Sequence, residues 1–470
     1  MEFSEELRRF QERTADPGFE GLILLGTERH NITAALLLGT LKLRRVAFLT
    51  TPETRTFPQF IAELLGRTPE RWDLPEADHS VTLKVYRAVK LLREQWVEIE
   101  DPARIAVDVT GGLKPMSVGL EKAAHLLGLT TIYVQSNYGP LPDGRRGLLP
   151  GTQRLVVPPN PYIEFGDLQA SEARRLFAAH DYTGAARLFD TQASRLQSAP
   201  VAADQLTAED AQLAAEAAAL AARYAASAKL AKAYAHWDSF DLPSAETALH
   251  DYLAAVPPES DRAALLTAQV ADLATLTRVT GHAAGKGRDA LATLADPDAV
   301  LPLLGSLYAN ALRRTAQGRY DSAALLCYRC LELCSQHRLA GWGILSEQPD
   351  LRAARARVPT LAQRYEAVQR RQFPGRRPYP LPDRSFGLFV GYMLLEALGD
   401  TLVTGYSIAQ IREGAQLRNQ SIFAHGYRLI TDVEYAQFAA LVEQLLDRLF
   451  AVLARDRAAW AARSTFLPLE

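Results

Sequence analysis

The sequence predicts two architectures in series. Residues 1–160 read as an α/β domain on a parallel sheet, and the rest as all-helical: a linker over 161–295 and a second helical domain over 296–470. Two observations predict this. Before residue 160, short apolar runs alternate with helical stretches, the pattern of βαβ units. After residue 165 the chain is rich in alanine and leucine, and strand-like runs vanish. The stretch Val157-Pro158-Pro159-Asn160-Pro161 punctuates the change.

In the first part, Gly21–Leu25, Arg45–Thr50, Arg104–Val109 and Thr130–Gln135 read as short buried strands. Ile32–Leu43 and Pro115–Leu127 read as helices between them. In the second part, Ala202–Ala235 is the clearest helix. Three fragments resemble one another: His180-Asp181-Tyr182-Thr183-Gly184-Ala185, Phe240-Asp241-Leu242-Pro243-Ser244-Ala245 and Gly318-Arg319-Tyr320-Asp321-Ser322-Ala323. Each reads as a corner between two helices, with a large residue three before a small one. Their spacings, 60 and 78 residues, are too uneven for a regular solenoid. A further boundary is expected around Gly281–Gly287. Gln372–Pro382, rich in Pro and Arg, is expected as a loop, and Phe386–Ala461 as an amphipathic helical block.

The 470 residues include 52 basic and 54 acidic ones, a net charge of −2. That excludes a globally basic nucleic-acid coat and an acidic tail; any nucleic acid is met at a local site. The N-terminus lacks the apolar core of a secretory signal, and no apolar run is long enough to span a membrane. The three cysteines fall within Cys327–Cys334, which is no disulfide framework. A reducing cytoplasm is the expected compartment.

The densest local signal is Asp108-Val109-Thr110-Gly111-Gly112-Leu113-Lys114-Pro115-Met116, placed between a strand and a helix. Its glycines let the backbone turn sharply and approach a ligand. The helix start offers free N–H groups and a partial positive charge to a phosphate. Lys114 adds a cation, Thr110 a hydroxyl and Asp108 an acceptor for a ribose or base. The spacing matches neither a dinucleotide fingerprint nor a P-loop, and Gly285-Lys286-Gly287 lacks the strand and upstream glycine a P-loop needs. Gly26-Thr27, Thr50-Thr51-Pro52 and Gln135-Ser136-Asn137-Tyr138 follow other strands, and ligands of open parallel sheets collect at such ends. Taken one at a time these residues read as caps and turns before contacts; their convergence on one sheet edge is what favours a ligand.

A second signal is Arg418-Asn419-Gln420-Ser421-Ile422-Phe423-Ala424-His425-Gly426. At about 100° per residue, a seven-residue separation returns to within roughly 20° of its start. Arg418 and His425 are therefore expected on one helix face, two turns apart; Arg174 and Arg175, at six and five residues from His180, are not. A histidine can carry protons to and from RNA hydroxyls, and an arginine can steady the charged phosphorane. Asn419 and Ser421 could orient the pair, and a two-fold dimer would set two such pairs face to face. Spacing alone favours a solvated arginine and a core histidine over a reactive pair. Cys327, Cys330, Cys334 and His337 share one helical stripe and cannot surround an ion; they read as core, and no metal site is expected.

Asp108-x-Thr110-Gly111-Gly112-x-Lys114-x-Met116, preceded by Gly26-Thr27, resembles the CARF domain, a Rossmann-like sensor of CRISPR-associated proteins. Arg418-Asn419-x-Ser421-x-x-Ala424-His425-Gly426 resembles the active-site motif of HEPN ribonucleases. In this order the two resemble the CARF–HEPN ancillary ribonucleases of type III CRISPR systems, and Pro150–Arg154 and Asn160-Pro161-Tyr162 resemble that group's domain junction. The resemblance spans nearly the whole chain.

It implies a Rossmann-like CARF domain over 1–160, a helical linker over 161–295 and a HEPN domain over 296–470. It implies a homodimer whose CARF pair binds a cyclic oligoadenylate, with cyclic tetra-adenylate favoured over the hexamer. The HEPN pair would then cut single-stranded RNA without a metal cofactor, leaving 2′,3′-cyclic phosphate and 5′-hydroxyl ends. By motif, Arg418 and His425 would be catalytic with Asn419 supporting. Thr27, Thr110, Gly111, Gly112 and Lys114 would meet the ring, joined by Thr51, Asp108 and Asn137. No membrane or DNA partner is implied. Two other readings stay open: a sensor whose helical half only mediates interactions, and a ring-degrading enzyme whose helical half only dimerises.

Overall fold

A computed structural model describes residues 3–26, 31–57, 59, 61, 63, 70–73, 81–140, 144–158, 166–198, 208–282 and 288–469. The chain falls into two compact units, Met1–Glu164 and Phe165–Glu470. Thr27, Asn160-Pro161-Tyr162 and Gly285-Lys286-Gly287 lie outside the described residues.

The first unit opens with α1 (Phe3–Arg13) and β1 (Gly21–Leu25), then α2 (Asn31–Thr40), β2 (Arg45–Thr50) and β3 (Glu70–Asp73). It continues through α3 (Val81–Gln95), β4 (Ile105–Asp108), α4 (Lys114–Leu127) and β5 (Thr130–Gln135). Three short strands follow: β6 (Tyr138–Pro140), β7 (Arg146–Leu148) and β8 (Arg154–Val156). Among the described residues the main sheet runs β3-β2-β1-β4-β5-β8, parallel except for the β8 edge. β6 and β7 pair separately as an antiparallel ribbon.

Both faces of this sheet are covered, so its central strands read as unbroken apolar runs. Successive side chains of β1 alternate between the faces. Leu22 and Leu24 join Phe48 and the buried residues of α1 and α2, while Ile23 and Leu25 join Leu49 and those of α3 and α4. The strand order reverses between β1 and β4, the place where open α/β sheets hold ligands at their strands' carboxyl ends. The four expected strands stand where the sequence placed them, with one trimmed: Pro102–Arg104 forms a 3-10 turn capped by Asp101, so β4 starts at Ile105.

Among the described residues, every regular element of the second unit is a helix. Its three related fragments build one and the same corner. α5 (Asp167–Ala178) turns into α6 (Tyr182–Ser198), α7 (Ala208–Asp238) into α8 (Leu242–Leu253), and α11 (Pro297–Ala316) into α12 (Tyr320–Ala340). Between the first two pairs and the third lie α9 (Asp261–His282) and α10 (Arg288–Ala295). The first residue of each fragment is left-handed: His180 at φ 63°, Phe240 at φ 60° and Gly318 at φ 70°. The next amide closes back onto the ending helix, Asp181 to Leu176 O, Asp241 to His236 O and Arg319 to Arg314 O at 2.8–2.9 Å. These bonds satisfy carbonyls that the helix end leaves open. The small residue, Ala185, Ala245 or Ala323, is fully buried where the two helices meet.

The rest comprises α13 (Arg352–Arg357), α14 (Leu361–Gln372), α15 (Leu388–Leu398), α16 (Ile408–Asn419), α17 (Asp432–Val452) and α18 (Arg457–Ser464). Residues 373–387 are non-helical, matching the expected loop. The buried side chains of α11, α12 and α14 to α17 form one core. The final residues return to α7 and α9. Phe466 stacks on Tyr234 at 4.1 Å, the Leu467 amide bonds its hydroxyl at 3.0 Å, and Arg262 holds Pro468 O.

Candidate functional site

In the first unit the turn after β4 is built around Asp108. Its carboxylate accepts the Thr110 amide at 3.0 Å and the Thr110 hydroxyl, and that hydroxyl accepts the Val134 amide at 2.8 Å. Asp108 and Thr110 therefore pin β4 to β5. Gly112 stands at φ 92°, and a Cβ there would run into the Leu25 side chain. Glycine is required on both counts. Ser117 closes the turn by bonding Gly111 O at 2.8 Å. α4 starts at Lys114, one residue earlier than expected, with Pro115 in its first turn and no side chain capping it. Gly112 and Lys114 are exposed, Thr51 is half-buried at the end of β2, and Asn137 is exposed after β5. Thr27 cannot be placed among them.

Beside this turn lies a cavity of about 420 Å³, lined by Thr33, Thr110, Ser136 and Gln153 with Glu6. Gln153 is 6% exposed, and its Oε1 has no hydrogen-bond partner among the described residues. Glu6 accepts the Gly151 amide at 3.2 Å. A shielded acceptor without a donor is costly unless something fills it. Glu6 and Thr33 escaped sequence reasoning, because neither follows a strand of the sheet.

Burial pushes the Asp108 carboxyl up to about 6, although both Thr110 hydrogen bonds pull the other way. Its pKa in the fold exceeds the unfolded value of 3.8, so the fold holds the proton more tightly than the unfolded chain does. Stability from this group is therefore fully present below about pH 4 and is lost as pH rises through about 6, amounting to about 3 kcal/mol. Asp108→Asn keeps an acceptor for Thr110 and removes the buried charge. Thermal melting of the full chain is expected to show Asp108→Asn more stable than wild type at neutral pH, with the gap closing towards pH 4. A uniform loss at every pH would contradict this.

In the second unit Arg418 and His425 do not share a helix. α16 ends at Asn419, and residues 421–426 form a turn. The one-face expectation is corrected for a physical reason: the last carbonyls find partners in the turn, not in a further helical turn. The amides of His425, Gly426 and Arg428 bond to Asn419 O, Ser421 O and Gln420 O at 3.2–3.4 Å. Asn and Ser favour such caps over helix interiors. Gly426 crosses so close to Gln420 that a Cβ would overlap its carbonyl.

The turn still brings the three residues together. Arg418 donates to Asn419 Oδ1 at 3.1 Å and lies 4.7 Å over the ring of Tyr328 on α12. No carboxylate holds it among the described residues, and its Nε is shielded without a partner. Asn419 and His425 are exposed. Tyr328, flanked by Arg329 and Glu332 at 3.1 Å from each other, was missed by sequence reasoning; its hydroxyl is pushed up by burial, then by Glu332. Cys327, Cys330 and Cys334 are buried in the core on the other side of α12.

A profile of the Csm6 HEPN domain matches residues 293–449. The CRISPR system endoribonuclease Csm6 of Thermus thermophilus is 28% identical over 441 residues, 89% of this chain and 83% of that one. The chain is similar to Csm6 over most of its length, and residues 293–449 are similar to the Csm6 HEPN domain. The match to the Csm6 HEPN domain takes in α12, α16 and the whole 418–426 turn. Two solved structures are also similar. Enterococcus italicus Csm6 bound to cyclic hexa-2′-fluoro-hexa-dAMP is 12% identical with a TM-score of 0.44, covering 95% of this chain and 97% of that one. Can2 from Sulfobacillus thermosulfidooxidans in complex with cyclic tetra-adenylate is 13% identical with a TM-score of 0.21, covering 51% and 70%. Among the described residues, no helix is long and apolar enough to cross a membrane.

Proposed function

We propose that this protein is an endoribonuclease of type III CRISPR defence, switched on by a cyclic oligoadenylate. The observation that carries the reading is a Csm6 HEPN match whose span contains Arg418, Asn419 and His425, gathered at the end of α16 by one closed turn. His425 moves the protons: the RNA 2′-hydroxyl loses one as its oxygen attacks the adjacent phosphorus, and the departing 5′-oxygen gains one. Arg418, free of any carboxylate among the described residues, meets the charge that builds on the phosphate. Asn419 orients the guanidinium. The products carry a 2′,3′-cyclic phosphate and a 5′-hydroxyl, and no metal takes part in these steps. A second copy of the chain supplies the facing HEPN pair.

The ring is assigned to the carboxyl ends of β1, β2, β4 and β5. Gly111, Gly112 and Lys114 present backbone N–H groups and a cation to phosphate, and Thr27, Thr51 and Asn137 are assigned further contacts with the ring. Asp108 and Thr110 shape that turn, and the neighbouring cavity suits an adenine whose amino group donates to Gln153 Oε1. Cyclic tetra-adenylate is the favoured ring. The linker is assigned to 161–295, the HEPN domain to 296–470, and the compartment to the cytoplasm.

The test is cleavage of a labelled single-stranded RNA in EDTA with cyclic tri-, tetra- or hexa-adenylate. The expected outcome is cutting with the tetramer and RNA ends bearing a cyclic phosphate by mass spectrometry. Cutting only after metal is restored, or linear phosphate ends from the start, would contradict the chemistry.

A further inference from the structure

Residues 351–386 hold nine arginines against two carboxylates, Glu366 and Asp383, a net charge of +7 in a chain whose total is −2. Carboxylates hold three of the nine: Asp350 pairs with Arg352, Glu366 with Arg370 and Glu396 with Arg371. Arg357 lies 4.1 Å over the Trp342 ring. Arg355, Arg364, Arg376, Arg377 and Arg384 are exposed, with no carboxylate partner among the described residues. So many like charges on one short segment repel one another, and a polyanion relieves that repulsion.

The same segment carries an aromatic slot. A groove of about 370 Å³ is lined by Phe373, Tyr379, Phe386 and Phe389, with Arg384 and Ser385 beside them. Tyr379 is 76% exposed, yet its backbone is fixed. The buried Gln369 amide donates to Tyr379 O and accepts the Tyr379 N–H, both at 2.9 Å. An exposed ring on a clamped backbone is preorganised for stacking, with little left to order on binding.

The segment also touches the helix that bears the catalytic set. Arg412 of α16 lies 5.5 Å over Phe373 and 5.8 Å over Phe389, and donates to Gln372 O at 3.1 Å. Six residues of helix separate Arg412 from Arg418, about 9 Å along the axis.

We propose that this arginine-rich segment captures single-stranded RNA away from the scissile phosphate, with one unstacked base entering the groove against Tyr379. The inference rests on the ribonuclease reading and adds the surface that reading lacks. Arginines meet the phosphates without reading sequence, and the aromatic slot accepts any base. Duplexes present no free base face, so the slot selects single strands.

The experiment measures binding of a labelled, unstructured single-stranded RNA to the full chain carrying His425→Ala, so that nothing is cut. R376A/R377A/R384A is expected to weaken binding at least about tenfold. Each lost contact lowers the slope of log affinity against log salt by about 0.7, so the triple variant should lose about 2. Tyr379→Ala is expected to weaken binding about tenfold while leaving the salt slope unchanged. In the cleaving chain, R376A/R377A/R384A should raise KM and leave kcat unchanged. Unaltered affinity and salt slope in the triple variant would overturn the proposal. Because binding is read without cleavage, a chain that binds RNA through these residues but never cuts it would sink the ribonuclease reading alone.

Discussion

His425→Ala is expected to lower RNA cleavage by about 10²–10⁴-fold, with binding of the ring unchanged. The side chain is exposed on a turn and holds up no core, so its loss should leave melting unaltered. Arg418→Ala is expected to lose a similar factor. Arg418→Lys should recover only part of it, since an ammonium keeps the charge but not the planar fork. Single-turnover cleavage at saturating ring separates these outcomes from binding defects. Full activity in His425→Ala would move the chemistry to another part of the domain.

Gly426→Ala is expected to cost about 10²-fold in cleavage, although it removes no reactive group. An added Cβ overlaps the Gln420 carbonyl, so the turn that presents His425 must open. A displacement near 1 Å at a reacting group costs about that factor. Gly387→Ala serves as the control, because a Cβ there meets nothing within 4 Å. The signature is a fall in kcat with little change in melting or in ring affinity. Unchanged kcat in Gly426→Ala would mean that His425 does not depend on this turn.

The central strands were legible because a sheet covered on both faces leaves uninterrupted apolar runs, as in Leu22–Leu25. β3, whose sequence is Glu-Arg-Trp-Asp, has no such run and sits at an edge. β6, β7 and β8 are three residues each, too short to show a period. The helical corners were legible through their large-to-small spacing, which a buried alanine at each corner explains. The Arg418–His425 separation misled because helical geometry holds only while the helix continues. What stopped it was a set of backbone bonds inside the turn, and no periodicity encodes those. Sequence could likewise place Asp108 and Thr110 at a strand end but not reveal that they bond each other. No pattern in the sequence singles out Tyr328; only the approach of Arg418 from α16 gives it a part in the site.

The most direct measurement is cleavage of a labelled single-stranded RNA in EDTA by wild type and His425→Ala, each with and without cyclic tetra-adenylate. The account predicts cutting in one of the four reactions, wild type with the ring. Equal cutting by wild type without the ring, or cutting that survives in His425→Ala, would contradict it.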